Sequence, residues 1–152
     1  MLLGLFNRDG VTTPALLLFG AMLLPSLSGC GKAKNPWETA YPAKGVVTYK
    51  GKPLAGAEIS LFPQGDAVPE NVRPRAKSAE DGSFTLWTYE RGDGAPAGTY
   101  KATVVHHQVV VTNGSVGSKP NDLPRKYARP DTTDLVVEIS QGTTEIPKFE
   151  LK

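Results

Sequence analysis

The chain has 152 residues, with 17 Lys and Arg against 15 Asp and Glu, a net charge of +2. The cations are scattered (Lys44, Lys50, Lys52, Arg73, Arg75, Lys77, Arg125, Lys126, Arg129) with no long basic run, so charge gives a nucleic-acid partner no support. One cysteine excludes an intramolecular disulfide framework and any cysteine-based zinc cluster, while 16 Gly and 13 Pro mark a turn-rich chain of β rather than α character.

Residues 1–10 carry one cation, Arg8, beside Asp9, and from Val11 to Pro25 the chain is nearly all apolar. That core is shorter than the roughly 20 residues needed to cross a bilayer, and small residues follow it, as in a secretory signal peptide. Leu27-Ser28-Gly29-Cys30 resembles the bacterial lipobox. The resemblance implies cleavage between Gly29 and Cys30, a diacylglycerol thioether on Cys30, and fatty acylation (palmitate-type) of the new amino terminus. Two or more acyl chains hold a protein durably to a membrane, whereas one is marginal. The competing readings are a signal peptide cut nearby with Cys30 incidental, and a retained transmembrane anchor. The expected layout is a lipoprotein signal peptide at 1–29, a tether at 30–43 and one β domain at 44–152. Gly31, rather than an aspartate, follows the cysteine; by the enteric sorting rule this points to the outer membrane, periplasmic or at the cell surface.

"GKAKNPWETAYPA" (31–43) has two prolines and no apolar periodicity, as a solvated tether should. Trp37 and Tyr41 are expected at the domain edge rather than at the membrane interface. Beyond it, short β-type runs alternate with turn signals. "KGVVTYK" (44–50) and "AEISLFP" (57–63), joined by the Gly-Pro-Gly chemistry of 51–56, are expected to form a hairpin, with Ala57, Ile59 and Leu61 on one face of the second strand. Asp81-Gly82 predicts a tight turn. After it, Phe84, Leu86 and Thr88 share one face, and Thr85, Trp87 and Tyr89 the other. Residues 99–111 form the longest expected strand, with Tyr100, Ala102, Val104 and His106 on a common face. Residues 112–132 read as a long polar connection, with room for one helical turn in "NDLPRKY". Residues 134–140 and 145–152, joined by "QGTT", complete seven expected strands, an all-β sandwich.

"GVVTYKGKPLAGAEISL" (45–61), "DGSF" (81–84) and "AGTYKATV" (97–104) together resemble the carboxypeptidase regulatory-like, transthyretin-like domains. "LPRKYARPDTTDLVVEI" followed by a Gly-containing turn and "FELK" resembles small lipoproteins of planctomycete-type bacteria that carry such a domain. The resemblance implies a seven-stranded Greek-key β-sandwich of transthyretin (prealbumin) type over nearly all of the chain after the signal. The matching residues are fold-makers: Gly51, Gly56 and Gly82 for turns, Pro53 to preset one, Phe84 for the core, and Tyr100 to anchor the sandwich.

No catalytic constellation is legible. His106 and His107 are adjacent in a strand and point to opposite faces, which argues against one metal between them. Hydroxyisourate hydrolases of transthyretin-like fold end in a Tyr-Arg-Gly-Ser segment, whereas this chain ends "KFELK"; intradiol dioxygenases need two tyrosines and two histidines around iron, a set the adjacent pair does not reproduce. Arg91-Gly92-Asp93 matches an adhesion tripeptide and Asn113-Gly114-Ser115 a glycosylation sequon, both read as chance. Asp66, Glu70, Asp81 and Asp93 lack the spacing of calcium ligands. No enzyme activity, metal or cofactor is expected. The expected function is a non-catalytic structural or protein-interaction module of the cell envelope, anchored through lipid. The alternative is a carbohydrate-binding module, for which an exposed strip of Trp37, Trp87 and Tyr89 is the discriminating feature. The corresponding partner is an envelope protein or a polysaccharide. The loop of Arg125, Lys126 and Arg129 is the other candidate surface.

Overall fold

The computed structural model describes residues 35–152. The signal segment, Gly29 and Cys30 therefore lie outside the described residues. The fold is all-β, in several sheets, none of them closed. Its strands are β1 (Ala43–Tyr49), β2 (Lys52–Pro53), β3 (Glu58–Pro63), β4 (Arg75–Lys77), β5 (Ser83–Thr85), β6 (Gly98–Val105), β7 (Val109–Thr112), β8 (Ser115–Ser118), β9 (Val136–Ile139), β10 (Thr144–Glu145) and β11 (Phe149–Leu151). Short 3₁₀ turns at Pro36–Glu38 and Arg125–Ala128 interrupt them. The second of these is the helical turn expected within 121–127, offset toward Ala128.

A five-stranded sheet is built on β1. β10 and β11 run parallel to it, reached by hydrogen bonds of Pro42, Lys44 and Lys50, while β2 and β5 run antiparallel on the edge served by Val47. A four-stranded antiparallel sheet has the order β4-β3-β6-β9. The expected hairpin of 44–50 with 57–63 is thus a correction: β1 folds back on the two-residue β2, and β3 belongs to the other sheet. Gly51 and Gly56 bracket a connection long enough for the chain to change sheets, and the apolar face of β3 is buried in the core cluster that also holds Val47 of β1. The last strands, joined by "QGTT", fall in different sheets. β9 joins β6, and β10 and β11 join β1.

The core lies where the inner faces of both sheets meet. Val47, Ala57, Leu61, Leu86, Tyr100, Ala102 and Val104 are fully buried, and Ile59, Val137, Phe149 and Leu151 nearly so. Each such Leu, Ile or Phe removed from water contributes about 1.5–3 kcal/mol. The expected alternations hold here: Ala57, Ile59 and Leu61 face inward, as do Phe84 and Leu86. Tyr100 donates its hydroxyl to the Pro96 carbonyl at 2.8 Å, closing the turn that leads into β6. Burial pushes its phenol well above the ordinary tyrosine range.

The Asp81-Gly82 turn forms as expected. Asp81 accepts from the Ser83 amide (2.9 Å) and hydroxyl (2.6 Å), which hold its carboxyl below the usual range, the hydroxyl most. Gly82 has φ +77, and a Cβ there would strike the Val47 carbonyl, so only glycine fits.

The run 99–111 is not one strand. β6 ends at Val105; β7, the far end of the expected strand, pairs with β8, which lies in the segment expected as a loop, to make a separate two-stranded hairpin. Its turn is Asn113-Gly114, with φ of 50 and 77, the mirror-image turn that matches strand twist. Asn-Gly between two β-type runs is the signal that identifies it.

Candidate functional site

Three groups of polar or aromatic side chains stand on this scaffold. The first is the base of the β7–β8 hairpin. His106 pairs through Nδ1 with Asp122 Oδ1 at 2.8 Å, and its amide donates to Asn121 Oδ1 at 2.9 Å. Gln108 Nε2 donates to the other Asp122 oxygen at 3.2 Å, and the Lys119 amide donates to the Gln108 carbonyl at 2.9 Å. His107 points elsewhere, to the Lys119 carbonyl at 3.3 Å. The two histidines therefore diverge, His106 half-buried and His107 exposed. Their work is to pin the ends of a projecting hairpin. Among the described residues no three His, Cys, Asp or Glu side chains gather as a metal set would require.

The second is the loop 88–93. Asp93 accepts from the amides of Thr88 (2.8 Å), Tyr89 (3.0 Å) and Glu90 (3.0 Å), and Thr88 donates its hydroxyl to the Gly94 carbonyl at 2.7 Å. The aspartate of Arg91-Gly92-Asp93 is consumed in holding its own loop, so the tripeptide presents no free carboxylate of the kind an adhesion receptor reads. Tyr89 donates its hydroxyl to the Trp37 carbonyl. Burial first, then the charges of Asp93 and Glu38, push the Tyr89 phenol up.

The third is the set of aromatic residues singled out in the sequence. Trp37 folds onto the domain and packs half-buried against the core, as expected for the domain edge. Tyr89 is exposed beside it. Trp87 is half-buried under the Arg75 guanidinium, which lies 3.9 Å from the ring centroid. Trp37 and Tyr89 thus come together through one hydrogen bond, while Trp87 is half-buried in a cation–π stack. The three do not form one continuous exposed strip.

The cationic loop is largely self-neutralised. Lys126 meets Asp134 at 3.1 Å, and Arg129 forms two bonds to Asp131 at 3.0 and 2.8 Å, leaving Arg125 exposed without a paired carboxylate among the described residues. Tyr127 is buried beneath the loop and accepts the Lys152 amide at 3.3 Å, tying it to the end of the chain.

No family model matches this chain, and no curated protein does. Among solved structures, a 9R-lipoxygenase from Cyanothece PCC8801 is similar at 13% identity and TM-score 0.41, over 78% of this chain and 17% of the lipoxygenase. A DUF3823 family protein from Parabacteroides merdae is similar at 18% identity and TM-score 0.39, over 74% of this chain and 45% of the other. A Pseudomonas aeruginosa protein, provisionally assigned as carbohydrate binding, is similar at 13% identity and TM-score 0.37, over 74% of this chain and 88% of that one. The chain thus spans less than half the length of the first two.

Proposed function

We propose that this chain is a lipid-anchored envelope protein, held by acyl chains on Cys30, whose β domain is a non-catalytic module that binds an envelope partner at the periplasmic face or the cell surface. The finer fold assignment, a seven-stranded Greek-key sandwich of transthyretin type, belongs to the same proposal and is supported by the order of the Gly-x-Val, Asp-Gly-x-Phe and Gly-x-Tyr motifs. The observation that carries the anchoring is Cys30, the chain's one cysteine, placed directly after a short apolar run and two small residues. The non-catalytic reading is supported by the commitment of Asp93 to three loop amides.

The deciding experiment compares wild type with Cys30→Ala in a bacterial host, by intact mass and detergent phase partition. A mass starting at residue 30 plus acyl chains, lost in the variant, is the expected result. An unmodified Cys30, or a variant that partitions like wild type, overturns the anchor. The second reading, a carbohydrate-binding module, is favoured by one specific observation: an Arg–Trp stack at the β4 edge beside the exposed Thr85 and Tyr89.

A further inference from the structure

Around Trp87 the sequence "RPRAKS" alternates with a period of two. Arg73, Arg75 and Lys77 are exposed, while Pro74, Ala76 and Ser78 are buried. Side chains two residues apart on a strand lie about 6.6 Å apart, so the three cations form a ladder on one face. β4 is bridged to Trp87 by a reciprocal pair of backbone hydrogen bonds, Arg75 N–H to the Trp87 carbonyl and Trp87 N–H to the Arg75 carbonyl, each 2.9 Å. Antiparallel continuation from that pair sets Thr85 beside Lys77 and Tyr89 beside Arg73.

Two open clefts flank the Arg75–Trp87 stack. One, of about 510 Å³, is lined by Lys77, Ser83, Thr85, Trp87 and Arg91 among others. The other, of about 370 Å³, is lined by Arg73, Arg75, Thr88 and Tyr89 with Asn71 and Val72. Among the described residues, Arg75, Lys77 and Arg91 have no carboxylate at ion-pair distance. Glu58 stands opposite Lys77 in register without closing on it, and Glu70 reaches Arg73 only at 3.7 Å between exposed groups.

We propose that this face is a binding site for an anionic polysaccharide, a chain of sugars bearing carboxylate or sulfate groups. The proposal rests on the carbohydrate-binding reading and names its site and ligand class. Each part of the surface has a matching part in such a ligand. Guanidinium forks take carboxylate or sulfate oxygens in pairs, and Arg75 is already held by the indole, so little side-chain freedom is lost on binding. The exposed Tyr89 ring takes the C–H face of a sugar ring, while Trp87 holds the Arg75 fork in place. Thr85 offers a free, exposed hydroxyl to the sugar's own, while Ser83 and Thr88, whose protons go to Asp81 and to the Gly94 carbonyl, can only accept. An acidic peptide fits less well, because extended peptides are recognised by strand addition, and the β4 edge at Arg75 is already taken by Trp87.

The test uses the full chain in detergent and four probes: polygalacturonate, dextran sulfate, neutral dextran and poly-L-glutamate. The expected result is salt-sensitive binding of the first two and not of the last two. Binding is at least about tenfold weaker, with a shallower salt dependence, in the Arg75→Gln/Lys77→Gln double variant. Both side chains are exposed, so the double variant folds as wild type does, with its thermal transition lowered only slightly by the loss of the Arg75–Trp87 stack. Trp87→Phe, which keeps a ring under Arg75, retains more binding than Trp87→Ala. Equal binding of poly-L-glutamate overturns sugar recognition, and no binding of either anionic glycan overturns the ligand class. Glycan binding untouched by the substitutions overturns the site, while leaving the module reading in place.

Discussion

Valines a few residues apart live in opposite surroundings. Val104, in β6, has no exposed surface, whereas Val109 and Val111 in the hairpin are 69% and 68% exposed, and Val116 across from them 75%. β6 is paired on both edges, to β3 and β9, and its inner face meets the other sheet. Among the described residues the strands of the hairpin pair only with each other. Two-stranded ribbons are marginal alone in water, and this one persists because its turn residues and its polar base hold it locally. Central strands here are made by burial, and the hairpin by turn chemistry and its His106–Asp122 clasp.

The largest test of that contrast is Leu86→Ala. Leu86 is fully buried between the layers, and the truncation is expected to cost about 2–5 kcal/mol in a denaturant titration. A loss under 1 kcal/mol would mean that the sheets do not share a tight core there.

Tyr100→Phe comes next. It leaves the Pro96 carbonyl without its buried partner, for a loss of about 1–3 kcal/mol. It also carries a pH signature. Burial favours the neutral phenol, so the folded pKa is raised, and the stability it reports is fully present below the ordinary value of 10.0 and lost as pH rises above it. Stability measured from pH 9 upward should therefore fall more steeply in wild type than in Tyr100→Phe; equal slopes would separate Tyr100 from the core.

Gly114→Ala should cost about 1 kcal/mol or less, and only locally, because a side chain at φ +77 strains the turn while nothing in the cores depends on it. Amide exchange should quicken across 109–118 and stay unchanged in β3 and β6. A cooperative loss in the main transition would show the hairpin to be part of the core after all. The smallest effect belongs to Val111→Thr with Val116→Thr, expected within about 0.5 kcal/mol of wild type by thermal melting.

What could be read from the chain follows the same division. The period-2 faces of 57–61 and 84–86 were legible because the buried face of a strand writes itself directly as alternation. The Asp81-Gly82 turn was legible because its chemistry is local. Sheet partners were not. The apolar pattern of β1 and β3 is the same whether they lie side by side or face to face, and pairing them as neighbours in sequence suggested a hairpin the structure does not have. The hairpin at 109–118 was lost for another reason: its valines gave a strand signal continuous with β6, and the break at His106–Gln108 depends on contacts with Asn121 and Asp122. At the candidate glycan face, the alternation of Arg73, Arg75 and Lys77 was visible, but its meaning required the pairing of Arg75 with Trp87.

By itself, then, the sequence determined the β class, the inward residues and the tight turns, since these depend on a residue and its near neighbours. Only the tertiary structure decided which strands share a sheet, that Asp93 is spent on its own loop, and that an arginine and a tryptophan distant in sequence form one stack. Those facts depend on loop paths and long-range register, where many arrangements satisfy the same local pattern and total burial and hydrogen bonding select among them.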